Sequence, residues 1–443
     1  MTFTAGGNKA PPAGPADARA RPSLRRAWII WTIASVFYLV AYFIRVSPAV
    51  MTQDLMRAFN IGAASLGTLS AAYFYAYVAM QIPVGILVDT WGGRKLLVWG
   101  AVATAVGSVV FGISTHFAVA FLARALIGGA TAVAWIVSLK LITHWFPSRR
   151  FAMMSGFTLM LGNLGALFAQ VPLRLLVVRF TWRPVTIASG GVILIFAVLA
   201  FAWVRNDPSE LGLVSYASEA IRNKSVRTGR VLGMLEMFRY RNTWLILFAQ
   251  GGLLGPVLAF AGLWGPAYLD ARFHLNATKA AGVDSVMLLA FAIASPLMGY
   301  ISDRMGARKP IYLGSAIVAA ACWSAMFLIG GLGLPTFIAL AAIASFCAAS
   351  CILGFAFGKE SVPERHLGAV SGLMNMGNMF GVMLLQPAVG WMLDRFWSGQ
   401  MAHGARIYSA GAFRIAFSLA VVWALLSIVL LALTRETHCR QLA

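Results

Sequence analysis

Few residues of this chain have chemistry to offer, and most of those sit in apolar surroundings, so each needs a reason. Arg45 lies inside the first long apolar stretch. Tyr38, Tyr42, Arg45 and Thr52 recur at steps of four, three and seven, which puts them on one face of a helix. Two phenols and a guanidinium on one stripe suit the wall of a polar cavity, because a planar guanidinium forks onto a carboxylate or phosphate. Near a helix end the same arginine would instead reach the headgroups with its stem in lipid. Further polar stripes recur at helical spacing: Ser70, Tyr73, Tyr77 and Gln81; Asn163 and Gln170; Trp264 and Tyr268; Asn375, Asn378 and Gln386. They are candidates to line the same cavity, although polar side chains also bond helices to one another. Lys140 lies one turn from His144 and has two readings, a substrate or gating role and snorkelling. It falls on the opposite face of a straight helix from Arg124, so the two cannot line one cavity together.

A second constellation is built for conformational work. Gly85, Asp89, Gly92, Arg94 and Lys95 form the pattern Gly-x-x-x-Asp-x-x-Gly-x-Arg-Lys, and Gly299, Asp303, Gly306, Arg308 and Lys309 repeat it nearly half the chain later. A carboxylate at a helix end accepts bonds from amides and guanidinium groups. The glycines allow a sharp turn, and the basic pair meets an anionic leaflet. The repeated spacing suits a latch between two halves; the simpler alternative is a topology anchor. Arg124 is the remaining charge inside a span, a structural or coupling candidate.

The elements that must position these residues follow from composition. The chain has 443 residues, 60% hydrophobic and only 11% charged, with a mean hydropathy of +0.79. Apolar stretches recur throughout, each long enough to cross about 30 Å of hydrocarbon. Twelve spans are expected, at 27–51, 64–88, 95–114, 118–143, 151–173, 185–204, 242–269, 282–302, 310–330, 334–358, 367–393 and 411–434. The net charge of +21 is not a nucleic-acid signal, because its residues sit in short loops between the spans. They favour the amino-terminal side more than twofold, which predicts both termini in the cytoplasm. The expected divisions are a disordered tail at 1–26, six-helix bundles at 27–204 and 242–434, a cytoplasmic linker at 205–241 and a tail at 435–443. Cys322, Cys347, Cys351 and Cys439 form no disulfide framework. No catalytic triad, metal set or nucleotide motif is present, so neither an enzyme nor a cofactor is expected.

With the repeated loop motif, Arg124 and Gly128, Trp182-Arg183 and Asp207-Pro208, the chain from about residue 28 to 434 resembles the major facilitator superfamily. The resemblance implies an all-α membrane protein of two pseudo-symmetric six-helix bundles that rock about a midplane site. Gln81-Ile82-Pro83, Trp145-Phe146-Pro147 and Tyr42-x-x-Arg45 are similar to its organic anion:cation symporter branch. Gly262-Leu263-Trp264-Gly265-Pro266 and Gly372-Leu373-Met374-Asn375 look like bacterial amino-acid and nucleoside carriers. The first branch implies uptake of a small carboxylate-bearing solute across the inner membrane by a monomer, with Arg45 in the substrate path and protons as a candidate coupling ion. The second implies an amino-acid or short-peptide carrier, and a transport-fold sensor is a minor alternative. The acids that carry the proton in the first branch are missing: Ile44 and Thr131 stand where that branch has Asp and Glu. Asp54, Asp270, Asp284, Glu360 and Asp394 all fall at expected span ends.

Overall fold

The structure, a computed structural model, describes residues 21–147, 150–217, 239–363, 366–402 and 404–441. The amino-terminal tail as far as residue 20 and most of the expected linker, 218–238, lie outside the described residues. Eleven helices among the described residues are long and apolar enough to cross a membrane: α1 Leu24–Phe59, α2 Ala63–Thr90, α3 Gly93–Ile113, α4 Phe117–Trp145, α5 Met153–Phe180, α6 Trp182–Trp203, α7 Arg241–Phe273, α8 Ala277–Met305, α9 Lys309–Leu328, α10 Leu334–Glu360 and, after one further helix, α12 Ala410–Ala432. That further helix, α11, runs Leu367–Arg395. Its 29 residues give it a length of about 43 Å at 1.5 Å per residue. Two residue pairs, Met401–Ala402 and Ala405–Arg406, form a small antiparallel hairpin between α11 and α12.

The halves are built alike. In the first, α1 packs on α5 and α3 on α4 and α6; in the second, α7 packs on α11 and α9 on α10 and α12. Between them α2 lies along α11, and α5 against α8. At residue 67 a Cβ would collide with the carbonyl of Gln386, and at residue 390 with that of Ala63. Glycine at both positions is what lets α2 and α11 approach backbone to backbone.

Several helices are broken where the site is built. α1 stops being α-helical at Val46 and continues as a tight turn, Ser47–Met51, with Pro48 at its start. α7 loosens into a π-turn, Phe260–Trp264, between Pro256 and Pro266. Such turns leave carbonyls without helical partners. The expected span boundaries also move. The Asn276 side chain accepts from the Lys279 amide and caps α8, so this helix begins at Ala277 rather than at 282. Asp284, expected at a span end, lies two turns inside the helix and is fully buried. Hydropathy starts a span after its last charge, whereas a cap starts it where the backbone is satisfied.

Candidate functional site

The break in α1 sets the position of Arg45. The carbonyls of Ile44 and Arg45 precede the tight turn, and Arg124 of α4 donates to both, from Nη1 at 3.0 Å and Nη2 at 3.5 Å. A buried guanidinium thus caps the end of the helix that carries Arg45. Arg124 meets the main chain, and the Arg45 side chain is free to face elsewhere.

That side chain is 3% exposed and enclosed by phenols. Its Cζ lies 4.1 Å from the Tyr42 ring centre, 4.9 Å from that of Tyr77 and 5.6 Å from that of Tyr73. Negative ring faces attract a cation at such distances. Tyr38 continues the wall: its hydroxyl donates to that of Tyr42 at 3.0 Å, and its ring lies against Trp135. Arg45 Nε donates to the Tyr73 hydroxyl at 3.4 Å, and Thr131 Oγ1 donates to the same oxygen at 2.7 Å. The Thr131 hydroxyl also lies 3.1 Å from the Gly128 carbonyl, so the Tyr73 hydroxyl links Arg45 on α1 to Thr131 on α4. From the other half Asn375 Nδ2 donates to the Tyr77 hydroxyl at 3.4 Å.

Among the described residues no carboxylate pairs with Arg45, and its terminal nitrogens donate to none of them. Nearby, Gln81 Nε2 one turn from Tyr77 and Asn378 Oδ1 one turn from Asn375 are buried without a partner. Buried polar atoms normally find partners, so this cluster holds donors and an acceptor in excess of what the protein satisfies. An anion with hydroxyl or amide groups fits that surplus.

The other residues singled out from sequence are distributed differently. Asn163 is half-buried on α5 beside Gly162, whose missing side chain admits the Tyr38 ring. Trp264 is fully buried and donates from Nε1 to the Gln386 carbonyl at 3.1 Å. Tyr268 lies in an aromatic cluster with Phe260, Phe327, Phe337 and Phe413, its hydroxyl accepting from Arg272. Neither of these two touches the Arg45 cluster. Lys140 is at the far end of α4, paired with Asp89 at 3.3 Å and donating to the Val88 carbonyl. Thr131 and Trp135 did not enter as site candidates, yet Arg124, Gly128, Thr131 and Trp135 follow at steps of four, three and four. That stripe was available in the sequence.

Several bonds hold each copy of the loop motif to its own half. Gly85 and Gly299 lie one turn before the motif carboxylates on α2 and α8. Gly92 turns the chain at φ 85° and Gly306 at φ 62°. The Arg94 amide donates to Asn206 Oδ1 at 2.7 Å, and its guanidinium to the Phe201 carbonyl; Lys95 is exposed. In the second copy Arg308 pairs with Asp303 at 2.6 Å and with Glu360 at 2.9 Å. Lys309 Nζ donates to the carbonyls of Ala432 and Thr434. Glu436, in the segment after α12, accepts from the amides of Arg308 and Lys309 at 3.0 and 2.7 Å. Burial would raise its pKa, but the amides of Arg308, His438, Lys309 and Thr437 outweigh that and hold the carboxyl below its usual range.

At the opposite end further contacts join the halves. Asp394 of α11 accepts from the Ala63 and Ala64 amides at 3.1 and 2.8 Å, a carboxylate on the amino terminus of α2. Thr52 donates to the Leu263 carbonyl at 3.2 Å and Gln170 to that of Ala261 at 3.0 Å, both in the π-turn of α7. The structure is therefore of a state closed at this end.

Comparisons with known proteins agree with this architecture. The sequence profile described as Major Facilitator Superfamily matches residues 30–285 and 258–441. The chain is 24% identical over 389 residues to the probable sulfoacetate transporter SauU of Cupriavidus necator, covering 83% of this chain and 87% of that protein. It is 23% identical over 396 residues to a D-galactonate transporter of Escherichia coli, covering 85% and 91%. The crystal structure of a bacterial homologue of the human lysosomal transporter Spinster, inward-facing and unoccupied, superposes with a TM-score of 0.74 at 17% identity, covering 93% of this chain and 97% of that one. With a profile matched along nearly its whole length and the paired helical halves that go with it, this chain belongs to the major facilitator superfamily of transporters.

Proposed function

We propose that the protein is a secondary transporter for a small carboxylate-bearing solute, working by alternating access between its two halves. The observation that carries this reading is Arg45: a buried guanidinium in a phenolic cage, with no described carboxylate beside it and its terminal nitrogens unused. A fixed fork of donors in a partly desolvated site recognises a carboxylate with two charge-assisted bonds. Thr131, Tyr73 and Asn375 hold the cage in place from three helices. The names of the two relatives, a sulfoacetate and a D-galactonate transporter, support an organic acid as cargo. The unpartnered Gln81 and Asn378 groups suit the hydroxyls of a polyhydroxy acid.

In this reading α11 is a twelfth span and both termini are cytoplasmic, as the positive charge of the loops argues. The closed end around Asp394 then faces outward, in an inner membrane. The purified protein should be tested by thermal shift against organic acids, sugar acids, amino acids and short peptides. A ligand at 100 times its dissociation constant adds about 2.7 kcal/mol if it binds only the folded state. Stabilisation by acids but not by their amides, followed by uptake of the same acid into proteoliposomes, is the expected result. Binding of amides as tight as that of acids would remove the proposal.

A further inference from the structure

Asp284 has no role in the site described above, yet its environment demands one. Its side chain is wholly buried, and neither carboxyl oxygen has a hydrogen-bond partner. It is seated against α7 where the π-turn ends: a Cβ at Gly265 would lie 2.5 Å from Oδ1, 3.0 Å from Oδ2 and 3.0 Å from the Phe260 ring. Titratable groups on the segments packed against this part of α8 are Arg174 and Arg179 on α5, Tyr268, Asp270 and Arg272 on α7, and Cys347 and Cys351 on α10. None bonds to Asp284. Arg174 is engaged by Asp54 and the Val50 carbonyl, and Arg272 by Tyr268 and the carbonyls of Met326 and Leu332. An isolated carboxylate in such a place takes up a proton rather than remain charged.

What would expose it is also visible. The π-turn in front of Asp284 is held by donors from the other half, Thr52 on the Leu263 carbonyl and Gln170 on that of Ala261. Separating the halves at this end breaks both bonds and frees the turn, which gives water a path to the carboxyl and stabilises its ionised form. We propose that Asp284 is a proton-binding site whose occupancy is tied to closure of this end of the bundle. The proton is taken from the solvent on that side as the halves close over the π-turn, RCOO⁻ becoming RCOOH, and returned when they part. The idea rests on the alternating-access reading but does not depend on which acid is carried.

Two measurements on the full chain in nanodiscs test it, neither needing the cargo. Infrared difference spectroscopy should show the carbonyl stretch of a protonated carboxyl at neutral pH, lost in Asp284→Asn. Spin labels at Thr115→Cys and Ser398→Cys, exposed positions on the two halves at the closed end, report closure as a distance distribution. The closed population should grow as pH falls in the native protein. Asp284→Asn should hold it closed at every pH, and Asp284→Glu should restore a titration. An Asn variant that keeps the native pH response, or an infrared band unchanged by the substitution, would overturn the site. If pH moves nothing while a carboxylate from the panel shifts the distances, alternation stands and Asp284 falls. One distance under every condition would sink both.

Discussion

At the scale of the residue, Arg45 concentrates the chemistry, and substitution separates two readings the sequence left open. A snorkelling arginine would tolerate lysine, since either reaches the headgroups. The observed arginine is caged by three rings and uses Nε on Tyr73, which leaves the fork of terminal nitrogens for a ligand. Arg45→Lys should therefore weaken binding of the transported acid, and Arg45→Gln should weaken it further. Removing one partner of a buried charge pair costs about 2–5 kcal/mol, or roughly 30- to several-thousand-fold in affinity. Dissociation constants from calorimetry on the reconstituted variants check this, and a lysine variant binding as well as native would return Arg45 to a structural role. Tyr73 acts through Arg45. Its hydroxyl accepts from both Arg45 and Thr131, so Tyr73→Phe should leave Thr131 and Arg45 each short of one partner. A lost neutral hydrogen bond is worth about 1 kcal/mol, a fivefold to tenfold loss of affinity with the fold retained, read by the same titration.

Helix breaks and close crossings matter at the scale of the element. α2 and α4 cross where Gly128 lies against the Tyr73 main chain; a Cβ there would overlap the Tyr73 carbonyl. Gly128→Ala must push the helices apart, at a cost of about 1–3 kcal/mol. Because Tyr73 moves with its helix, affinity for the acid should fall along with the melting temperature. A variant that loses stability while binding normally would show that the crossing does not position the cage. The other element-level device is the contact between the α8–α9 loop and the segment after α12. Glu436 has a depressed pKa because four amides point at it, despite its burial. A carboxyl with a lowered folded pKa contributes stability above its unfolded value and loses it as pH falls through the folded one. Glu436→Gln should thus melt lower than native at neutral pH, and the two melting curves should converge in acid. Melting temperatures measured across pH give the answer, and a gap that persists in acid would rule out the carboxylate as the cause.

The whole molecule poses the question of direction. Bonds from Asp394, Thr52 and Gln170 tie the halves at the end around Asp394 and the π-turn, and Asn375 reaches across to Tyr77 at the cage. The positive charge of the loops argues which end faces the cytoplasm, and labelling tests it. Cysteines placed at 150 or 224 should react only with reagents that cross the membrane, and cysteines at 275 or 400 should react from outside in intact cells. External labelling at 224 would invert the protein and, with it, the side from which Asp284 takes its proton.

Sequence alone determined an all-helical membrane protein of this superfamily, because membrane spanning is written in one dimension: each span must satisfy its own backbone, so length and hydropathy mark most of the helices. The repeat of Asp89 and Asp303 gave the two halves in the same way, and helical spacing put Tyr38, Tyr42 and Arg45 on one face. Which faces meet is a property of packing between distant segments, and there only the tertiary structure could decide. It brought Tyr73, Tyr77 and Asn375 to Arg45 while placing Trp264 and Tyr268 in other contacts. It paired Lys140 with Asp89. It also moved Asp284 from an expected span end to a sealed contact with Gly265, because burial depends on what lies across the interface and not on the neighbours in the chain.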